Sequence, residues 1–348
     1  MPSTLILLIL GVIVLLALMW PRDGLLWKWL QGREAAERIS IEDALKHFYN
    51  FEYSRLSATV ASLAGVLQIG RDDAARLAAQ LESLGLVNRD AEGIRLTAEG
   101  RSYALRVIRI HRLWERFLAD RTGVRESQWH HQADRKEHEM TPEQVEQLSA
   151  ELGNPVFDPH GDPIPTSEGE VPTIQGLPLS ALEPGATARI VHVEDEPDTV
   201  YAQLVAARLY PGMTVRVLQK SRDRLRIEAD LQEHVLAPIV AANLTVQPIG
   251  DALDARAPDR RLSSLPIGHE ALVVDISPAC RSIERRRLLD LGVVPGTRVR
   301  AELQSAGGDP TAYRIRGAMI ALRRDQADLI YVRSRVEDST EVWKGTHA

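Results

Sequence analysis

The first residues of the chain differ sharply from the rest in their pattern of hydrophobic and polar positions. Residues 3–20 form an apolar run without a charge, and three basic residues follow it by residue 33. At about 1.5 Å per residue, this run is long enough to cross a hydrocarbon core, and it lacks the basic start and small-residue cleavage site of a signal peptide. The pattern predicts a transmembrane anchor over residues 1–21 and a juxtamembrane connector over 22–40. The basic residues after the span predict a single-pass inner-membrane protein with its N-terminus outside and the bulk of the chain cytoplasmic.

Residues 41–100 show helical periodicity followed by two short alternating runs. Ile41, Ala44, Leu45 and Phe48 lie on one face of a helix, and two further helices are expected on either side of a turn at residues 68–70. Two short strands joined by a polar turn follow before residue 97. This order predicts a winged helix-turn-helix domain over residues 41–100.

The next segment, residues 101–172, is predicted to be a helical domain. A long helix starts after Thr97 and runs to about residue 121, and another begins at Pro142, which suits the first turn of a helix. Residues 154–172 are dense in proline, glycine and acidic residues, which is typical of a loop.

The C-terminal half of the chain repeats itself. Residues 179–185 resemble residues 262–268, and Tyr210-Pro211-Gly212 has its counterpart in Val294-Pro295-Gly296. The period of about 84 residues is too long for a solenoid unit and suits a duplicated small domain. Short alternating strands in each copy predict two small β-barrels, at residues 173–250 and 262–335.

Composition and charge narrow the class of protein. The chain has 348 residues, a formal net charge of −6 and one cysteine, Cys280, which excludes an internal disulfide and a multi-thiolate zinc site. His269-Glu270 begins a zinc-protease-like pattern, but Val273 stands at the position of its second histidine. No phosphate-binding Walker loop or serine nucleophile elbow is present in the sequence, so we expect no enzyme.

The candidate chemistry lies between residues 111 and 138. Imidazoles and carboxylates recur there at spacings of three or four residues, which places them on common helix faces. These residues are His111, Glu115, His130, Asp134, Glu137 and His138. A solvated, charge-rich helix pair is the alternative for any one of them, but six in one short stretch favour a site for Mn²⁺, Fe²⁺ or Zn²⁺.

Residues 41–172 resemble the family of iron- and manganese-dependent repressors that includes the diphtheria toxin repressor and the manganese transport regulator. The resemblance rests on the motifs at residues 41–49, 96–100, 111–115, 133–140 and 154–165. Both repeat copies resemble the ferrous-iron transport protein A (FeoA) domain, an SH3-like fold, with residues 286–296 as the clearest match. Together with the periodicity, the resemblance implies a multidomain α+β fold class. Its expected parts are an N-terminal transmembrane helix, a winged helix-turn-helix, a helical dimerisation domain and two small SH3-like β-barrels.

The resemblance also implies two metal sites and a homodimer. Its primary, DNA-activating site corresponds to Asp43, Asp134, Glu137 and His138, and its ancillary site corresponds to His111, Glu115 and His130. Three carboxylates and one imidazole without sulfur suit Fe²⁺ or Mn²⁺, with Zn²⁺ possible by affinity order. Further ancillary ligands would fall near Pro197 and Val200, which have no donor side chains, so Glu196 or Asp198 could substitute. His131 and His160 are expected to be surface or loop residues.

The expected recognition helix carries Arg71 and Arg76, the predicted DNA-binding residues, next to Asp72 and Asp73. The head therefore lacks a strongly basic footprint, and a winged helix kept for protein interaction is the alternative. The first functional hypothesis is a membrane-tethered, Fe²⁺- or Mn²⁺-dependent transcriptional regulator that binds DNA as a dimer, at an operator near metal-transport genes, and controls metal homeostasis. The second is a metal-sensing accessory protein of a ferrous iron transporter that acts through its FeoA-like domains without DNA binding.

Overall fold

The computed structural model describes residues 25–249 and 260–334, which form an α+β structure. These residues divide into two compact units. The first comprises the described residues up to 114 together with 131–148 and 165–171, and the second comprises 115–130, 149–164 and the described residues from 172 onward.

The first unit begins with three helices and a β-hairpin. These are α1 (Leu25–Tyr53), α2 (Val60–Val66), α3 (Arg71–Ser83), β1 (Val87–Asp90) and β2 (Gly93–Leu96). Thr59 and Ser62 form a reciprocal capping box that satisfies backbone donors at the start of α2. The buried positions of α3 follow the helical spacing, and with residues of α1 they form an apolar core that continues onto the hairpin. This is the order of a winged helix-turn-helix.

A long helix, α4 (Ala98–Arg121), follows directly after the hairpin, and the boundary between the two units falls inside it. The Thr97 hydroxyl accepts a hydrogen bond from the Gly100 amide at 3.1 Å. Gly100 has no room for a side chain, because a Cβ there would lie 1.9 Å from the Leu86 carbonyl oxygen. Two shorter helices, α5 (Trp129–Lys136) and α6 (Pro142–Glu151), complete the helical part.

The second unit contains two six-stranded antiparallel sheets of the same design. The first sheet has the order β3-β8-β4-β5-β6-β7 and the second has the order β13-β12-β11-β10-β14-β9. The strands of the first are β3 (Leu177–Pro178), β4 (Thr187–Val193), β5 (Thr214–Lys220), β6 (Leu225–Ala229), β7 (Gln232–Leu236) and β8 (Leu244–Pro248), with α7 (Asp198–Ala206) and α8 (Pro238–Ala242). The strands of the second are β9 (Arg260–Arg261), β10 (Glu270–Ile276), β11 (Arg298–Gln304), β12 (Thr311–Ile315), β13 (Ala318–Leu322) and β14 (Ile330–Ser334), with α9 (Ser282–Asp290) and α10 (Arg324–Ala327).

The two sheets repeat each other down to their irregularities. The register between β5 and β6 shifts at Val217/Gln219, and the register between β11 and β12 shifts at Ala301/Leu303, 84 residues later. Each copy encloses its own apolar core. Cys280 is buried in the second core, where burial raises the pKa of its thiol to about 12.

The predicted fold class is wrong in its transmembrane component. Among residues 25–249 and 260–334, no helix is both long enough and apolar enough to cross a membrane. The longest, α1, carries charged residues at short intervals from Lys28 to Glu52, so it offers no sustained apolar stretch. The segment on which the prediction rested, residues 1–21, lies outside the described residues.

Candidate metal centres

The first unit brings seven charged or imidazole side chains together; we call them the first cluster. Three come from one face of α1, one from α4, and three from the end of α5 and the turn after it. They are Glu42, Asp43, Lys46, His111, Asp134, Glu137 and His138. The five of these that the sequence marks as ligands therefore share one site with two residues that it does not mark.

His138 contacts the carboxylates of Glu42 and Asp43 on one side of the first cluster. His138 Nδ1 lies 2.5 Å from Glu42 Oε2, and its Nε2 lies 3.3 Å from Asp43 Oδ1. Burial lowers the pKa of His138, but hydrogen bonds to Asp43 and Glu42 outweigh it and raise the pKa to about 9. The carboxylates thus concentrate enough negative charge to hold a cation.

Glu137 lies at the centre of the first cluster. Its side chain is completely buried, and its Oε2 lies 2.5 Å from His111 Nδ1. It belongs to two overlapping groups of donors, Asp43–Glu137–His138 and His111–Asp134–Glu137, in each of which the donor atoms lie within 4.8 Å of one another. Oxygen-rich sets with one imidazole fit Mn²⁺ or Fe²⁺, and a buried carboxylate of this kind needs a compensating positive charge.

Lys46 already supplies one positive charge to the first cluster. Its Nζ lies 3.0 Å from Glu137 Oε2, 3.1 Å from Asp134 Oδ1 and 3.2 Å from His111 Nδ1. Burial lowers the pKa of this ammonium, but the charges of Glu137 and Asp134 outweigh burial and raise the pKa above its usual value. Lys46 is three residues after Asp43, so the sequence predicts that both lie on one face of the helix. It does not predict that the Lys46 ammonium contacts the carboxylates of the first cluster.

The second unit holds another group of donors, which we call the second cluster. It consists of Glu115 on α4, His130 on α5, His160 in a loop and Asp195 after β4. His160 Nδ1 lies 3.8 Å from Glu115 Oε2 and 3.7 Å from Asp195 Oδ2, and His130 Nδ1 lies 3.5 Å from Glu115 Oε1. Two imidazoles and two carboxylates match the donors of a borderline divalent metal.

His160 lies in a loop, one of the two expected locations, but it is buried and not at the surface. Burial lowers the pKa of its imidazole, but the charges of Glu115, Asp158 and Asp195 outweigh burial and raise it. The carboxylate that this part of the chain contributes beside His160 is Asp195, whereas the sequence offered Glu196 or Asp198 as possible substitutes. Both His160 and Asp195 reach the second cluster through loop closure, which leaves no periodic signal in the sequence.

The loop that carries His160 is tightly constructed. Asp158 Oδ1 accepts hydrogen bonds from the amides of His160 and Asp162 at 2.8 and 2.9 Å, and the Val193 amide donates to the His160 carbonyl at 2.8 Å. Gly161 adopts a φ of +95°, and a Cβ there would lie 2.1 Å from the Val191 carbonyl oxygen. The loop therefore lies directly against β4 and fixes the histidine backbone.

The predicted DNA-binding residues lie on the exposed face of α3. Arg71 is its first residue, and Arg76 forms an ion pair with Asp73 one turn earlier. Asp72 and Asp73 occupy the first turn, where they complement the helix dipole. One of the two arginines is thus held by an acidic neighbour on the same helix.

Comparison with known proteins identifies the types of domain in this chain. Residues 97–166 match the family described as iron dependent repressor, metal binding and dimerisation domain, and residues 177–248 and 260–334 each match the FeoA domain. The chain carries a metal-dependent repressor domain of the diphtheria toxin repressor and IdeR type, followed by two FeoA domains. This confirms the two domain types that the sequence motifs suggested.

The similar proteins include transcriptional repressors, which are not enzymes. The chain is 29% identical over 211 residues to the iron-dependent repressor IdeR of Mycobacterium leprae, covering 56% of this chain and 90% of that protein. A manganese-dependent transcriptional repressor in complex with manganese is 26% identical with a TM-score of 0.55, over 60% of this chain and 99% of that one. The repressor ScaR with bound Cd²⁺ is 28% identical with a TM-score of 0.52, over 60% and 99%.

The metals named for these proteins include those predicted for this chain. Iron, manganese and cadmium appear with the three proteins above, and ScaR is also known with bound Zn²⁺. Other IdeR and diphtheria toxin repressor sequences are matched over about half of their own length. The predicted inner-membrane location is contradicted by these similarities and by the lack of a membrane-spanning helix in the described part of the chain.

Proposed function

We propose that this protein is a metal-dependent transcriptional repressor that binds DNA as a homodimer and responds to Fe²⁺ or Mn²⁺. The observation that carries the proposal is the first cluster, because its donors come from two different parts of the first unit. Asp43 lies on α1, whose Ala44, Leu45 and Phe48 are buried in the core of the winged helix. Glu137 and His138 follow α5 in the metal-binding segment.

A divalent cation bound by Asp43, Glu137 and His138 would supply positive charge between two carboxylates that repel each other. The residues on α1 would then be held against the turn after α5. Since α1 also packs in the core that positions α3, this restraint favours one orientation of the recognition helix. Metal occupancy and DNA affinity are thereby linked through the preference of both ligands for the same state.

The second cluster supports a second metal site within the same function. Glu115 and His130 belong to the helical segment, whereas Asp195 follows β4 of the first FeoA domain. A cation held by these side chains and His160 would fasten that domain to the helices that carry Glu115 and His130. We assign this site a supporting role in ordering the second unit.

The metal assignment is tested by a double substitution in the first cluster. Asp134→Ala with His138→Ala removes one donor from each overlapping group, so calorimetric titration with Mn²⁺ or Fe²⁺ should lose the high-affinity binding of the first cluster. The control, Glu139→Ala with His269→Ala, removes an exposed carboxylate and an exposed imidazole outside both clusters. Unchanged titration of the double variant would disprove the assignment.

The DNA-binding part is tested by selection from a random duplex library. The full chain is incubated with the library in Mn²⁺, in Fe²⁺ under anaerobic conditions, or in chelator. We expect a palindromic sequence to be enriched with metal and lost in chelator, because a symmetric dimer reads two half-sites. Failure to enrich any sequence under all three conditions would refute the repressor function.

A further inference from the structure

Lys46 occupies a position that distinguishes the two halves of the first cluster. Its ammonium contacts all three members of the His111–Asp134–Glu137 group, at 3.0 to 3.2 Å. Asp43 and His138, the other two members of the Asp43–Glu137–His138 half, have no such contact with it among the described residues. The two halves share only Glu137.

The contacts of Lys46 differ from those of an ordinary surface ion pair. The Lys46 side chain is 19% exposed, and the Glu137 side chain that it contacts is fully buried. Its Nζ approaches both oxygens of Glu137, at 3.1 and 3.0 Å, in addition to one oxygen of Asp134. An ammonium has three donors and no acceptor, so these contacts use its capacity in full.

Formal charges indicate how many divalent ions the first cluster accepts. Its four carboxylates, Glu42, Asp43, Asp134 and Glu137, carry −4, and Lys46 reduces this to −3 when both imidazoles are neutral, as metal ligation requires. One divalent ion brings the sum to −1. A second would make it +1, and it would have to displace the ammonium from the donors it already holds, which is unfavourable beside the buried Glu137 carboxylate.

We propose that the ammonium of Lys46 is the resident cation of the His111–Asp134–Glu137 half, so that the first cluster binds a single divalent ion at the Asp43–Glu137–His138 half. This inference rests on the proposed metal-binding function. It makes Lys46 the residue that sets metal stoichiometry. The first cluster then responds to metal in one step, and no pair of ions bridged by Glu137 forms.

The test is the Mn²⁺ stoichiometry of the full chain with and without the charge of Lys46. Lys46→Met should raise the number of bound Mn²⁺ by one per chain in equilibrium dialysis, because it removes the ammonium from the three donors of the His111–Asp134–Glu137 half. Two Mn²⁺ ions that share Glu137 should also be magnetically coupled, which reduces and broadens the Mn²⁺ signal in electron paramagnetic resonance. Lys46→Gln, which removes the charge and keeps a donor, serves as a second variant if Lys46→Met folds poorly.

Lys136→Met is the matched control, since Lys136 is a partly exposed lysine paired with Glu139 outside the first cluster. It should leave stoichiometry and spectrum as in the wild type. Folded Lys46 variants that bind no additional Mn²⁺, or a wild type that loses two Mn²⁺ on the Asp134→Ala with His138→Ala substitution, would overturn the inference. If the wild type binds none at this cluster and a Lys46 variant gains one, the proposed sensor site fails and the role of Lys46 stands.

Discussion

At the scale of single residues, His47 shows how an imidazole next to the first cluster serves the fold. Its Nε2 lies 3.0 Å from Ser62 Oγ, and its ring centroid lies 4.4 Å from that of Phe51. It is buried in the winged helix, and burial lowers its pKa from 6.5 to about 4. The folded state therefore holds this histidine in its neutral form.

This pKa shift predicts acid sensitivity of the winged helix. Below about pH 6.5, His47 becomes protonated in the unfolded chain but stays neutral in the folded chain. The stability that the protein has above that pH is therefore lost as the pH falls toward 4. The loss is on the order of 2–3 kcal/mol, since one pKa unit corresponds to about 1.4 kcal/mol. Urea unfolding at pH 7.5 and pH 5 should show a smaller pH effect for His47→Gln than for the wild type. The exposed His269→Gln should behave as the wild type; an equal effect in all three would contradict the prediction.

Single residues also show what sequence could and could not reveal about the site. Helical spacing pointed to Asp134, Glu137 and His138, although α5 ends at Lys136 and the last two lie in the turn that follows it. The place of Lys46 within the cluster depends on how α1 packs against the turn after α5, which the spacing does not encode. His160 and Asp195 meet through a loop and a strand end, for which no local pattern exists.

At the scale of secondary-structure elements, α3 combines the features of a recognition helix with an internal restraint. Arg71 is exposed at its first residue, whereas Arg76 is paired with Asp73. Ion pairs between exposed side chains are weak, about 0.2–1 kcal/mol, so a phosphate or base can compete for Arg76. Under the proposed function, the acidic first turn would weaken DNA binding without abolishing it.

Substitutions on α3 should separate these effects. Arg71→Ala should weaken binding to the selected operator by roughly tenfold and reduce the salt dependence by about one unit of slope, because one phosphate or base contact is lost. Asp73→Asn should strengthen binding several-fold, because it releases Arg76. Fluorescence anisotropy across a salt series measures both, with Arg189→Ala on the exposed side of β4 as the control. Unchanged affinity in both α3 variants would place the DNA contact elsewhere.

The loop of His160 gives a second test at the scale of elements. Gly161→Ala combines a left-handed backbone with a steric conflict against Val191 of β4, so it should cost about 3–5 kcal/mol of stability. Gly153→Ala has a similar φ, +78°, but a Cβ there meets no atom within 4 Å, and it should cost only about 1–2 kcal/mol. Chemical denaturation measures the difference. Equal losses of stability in the two variants would show that the loop does not pack directly against β4 in solution.

Elements of the second unit were predicted well where the sequence repeats. The duplicated turn motifs gave a period of about 84 residues, and the register shifts at Val217/Gln219 and Ala301/Leu303 follow that period. The apolar run at residues 3–20 suggested a transmembrane helix because hydropathy records length and polarity only. That run lies outside the described residues, and no helix within them is both long enough and apolar enough to cross a membrane.

At the scale of the whole molecule, Arg281 joins separate parts of the second unit. It precedes α9 of the second FeoA domain. Its Nη2 donates a hydrogen bond to the Pro159 carbonyl at 3.1 Å, and its Nη1 lies 3.7 Å from Glu126 Oε1. Its guanidinium also lies 4.3 Å from the ring centroid of Tyr210 in the first FeoA domain. Both FeoA domains and the loop of His160 therefore meet at one side chain.

Arg281→Met should keep the apolar stem and lose these polar contacts. Because it leaves the mostly buried carboxylate of Glu126 without its cation, we expect a loss of about 2–4 kcal/mol in the unfolding free energy of the second unit. The exposed Arg286→Met, five residues later on α9, should change it by less than about 0.5 kcal/mol. Denaturation followed by near-ultraviolet circular dichroism checks this, and similar losses in both variants would disprove the joining role.

The central claim, that metal in the first cluster controls DNA binding, is tested most directly by one affinity ratio. Binding of the full chain to its selected operator is measured by fluorescence anisotropy in saturating Mn²⁺ and in chelator. A coupling free energy of about 1–3 kcal/mol predicts that metal tightens binding by roughly 5- to 150-fold, and that Asp134→Ala with His138→Ala brings the ratio close to one. Equal affinities of the wild type with and without Mn²⁺ would contradict the account.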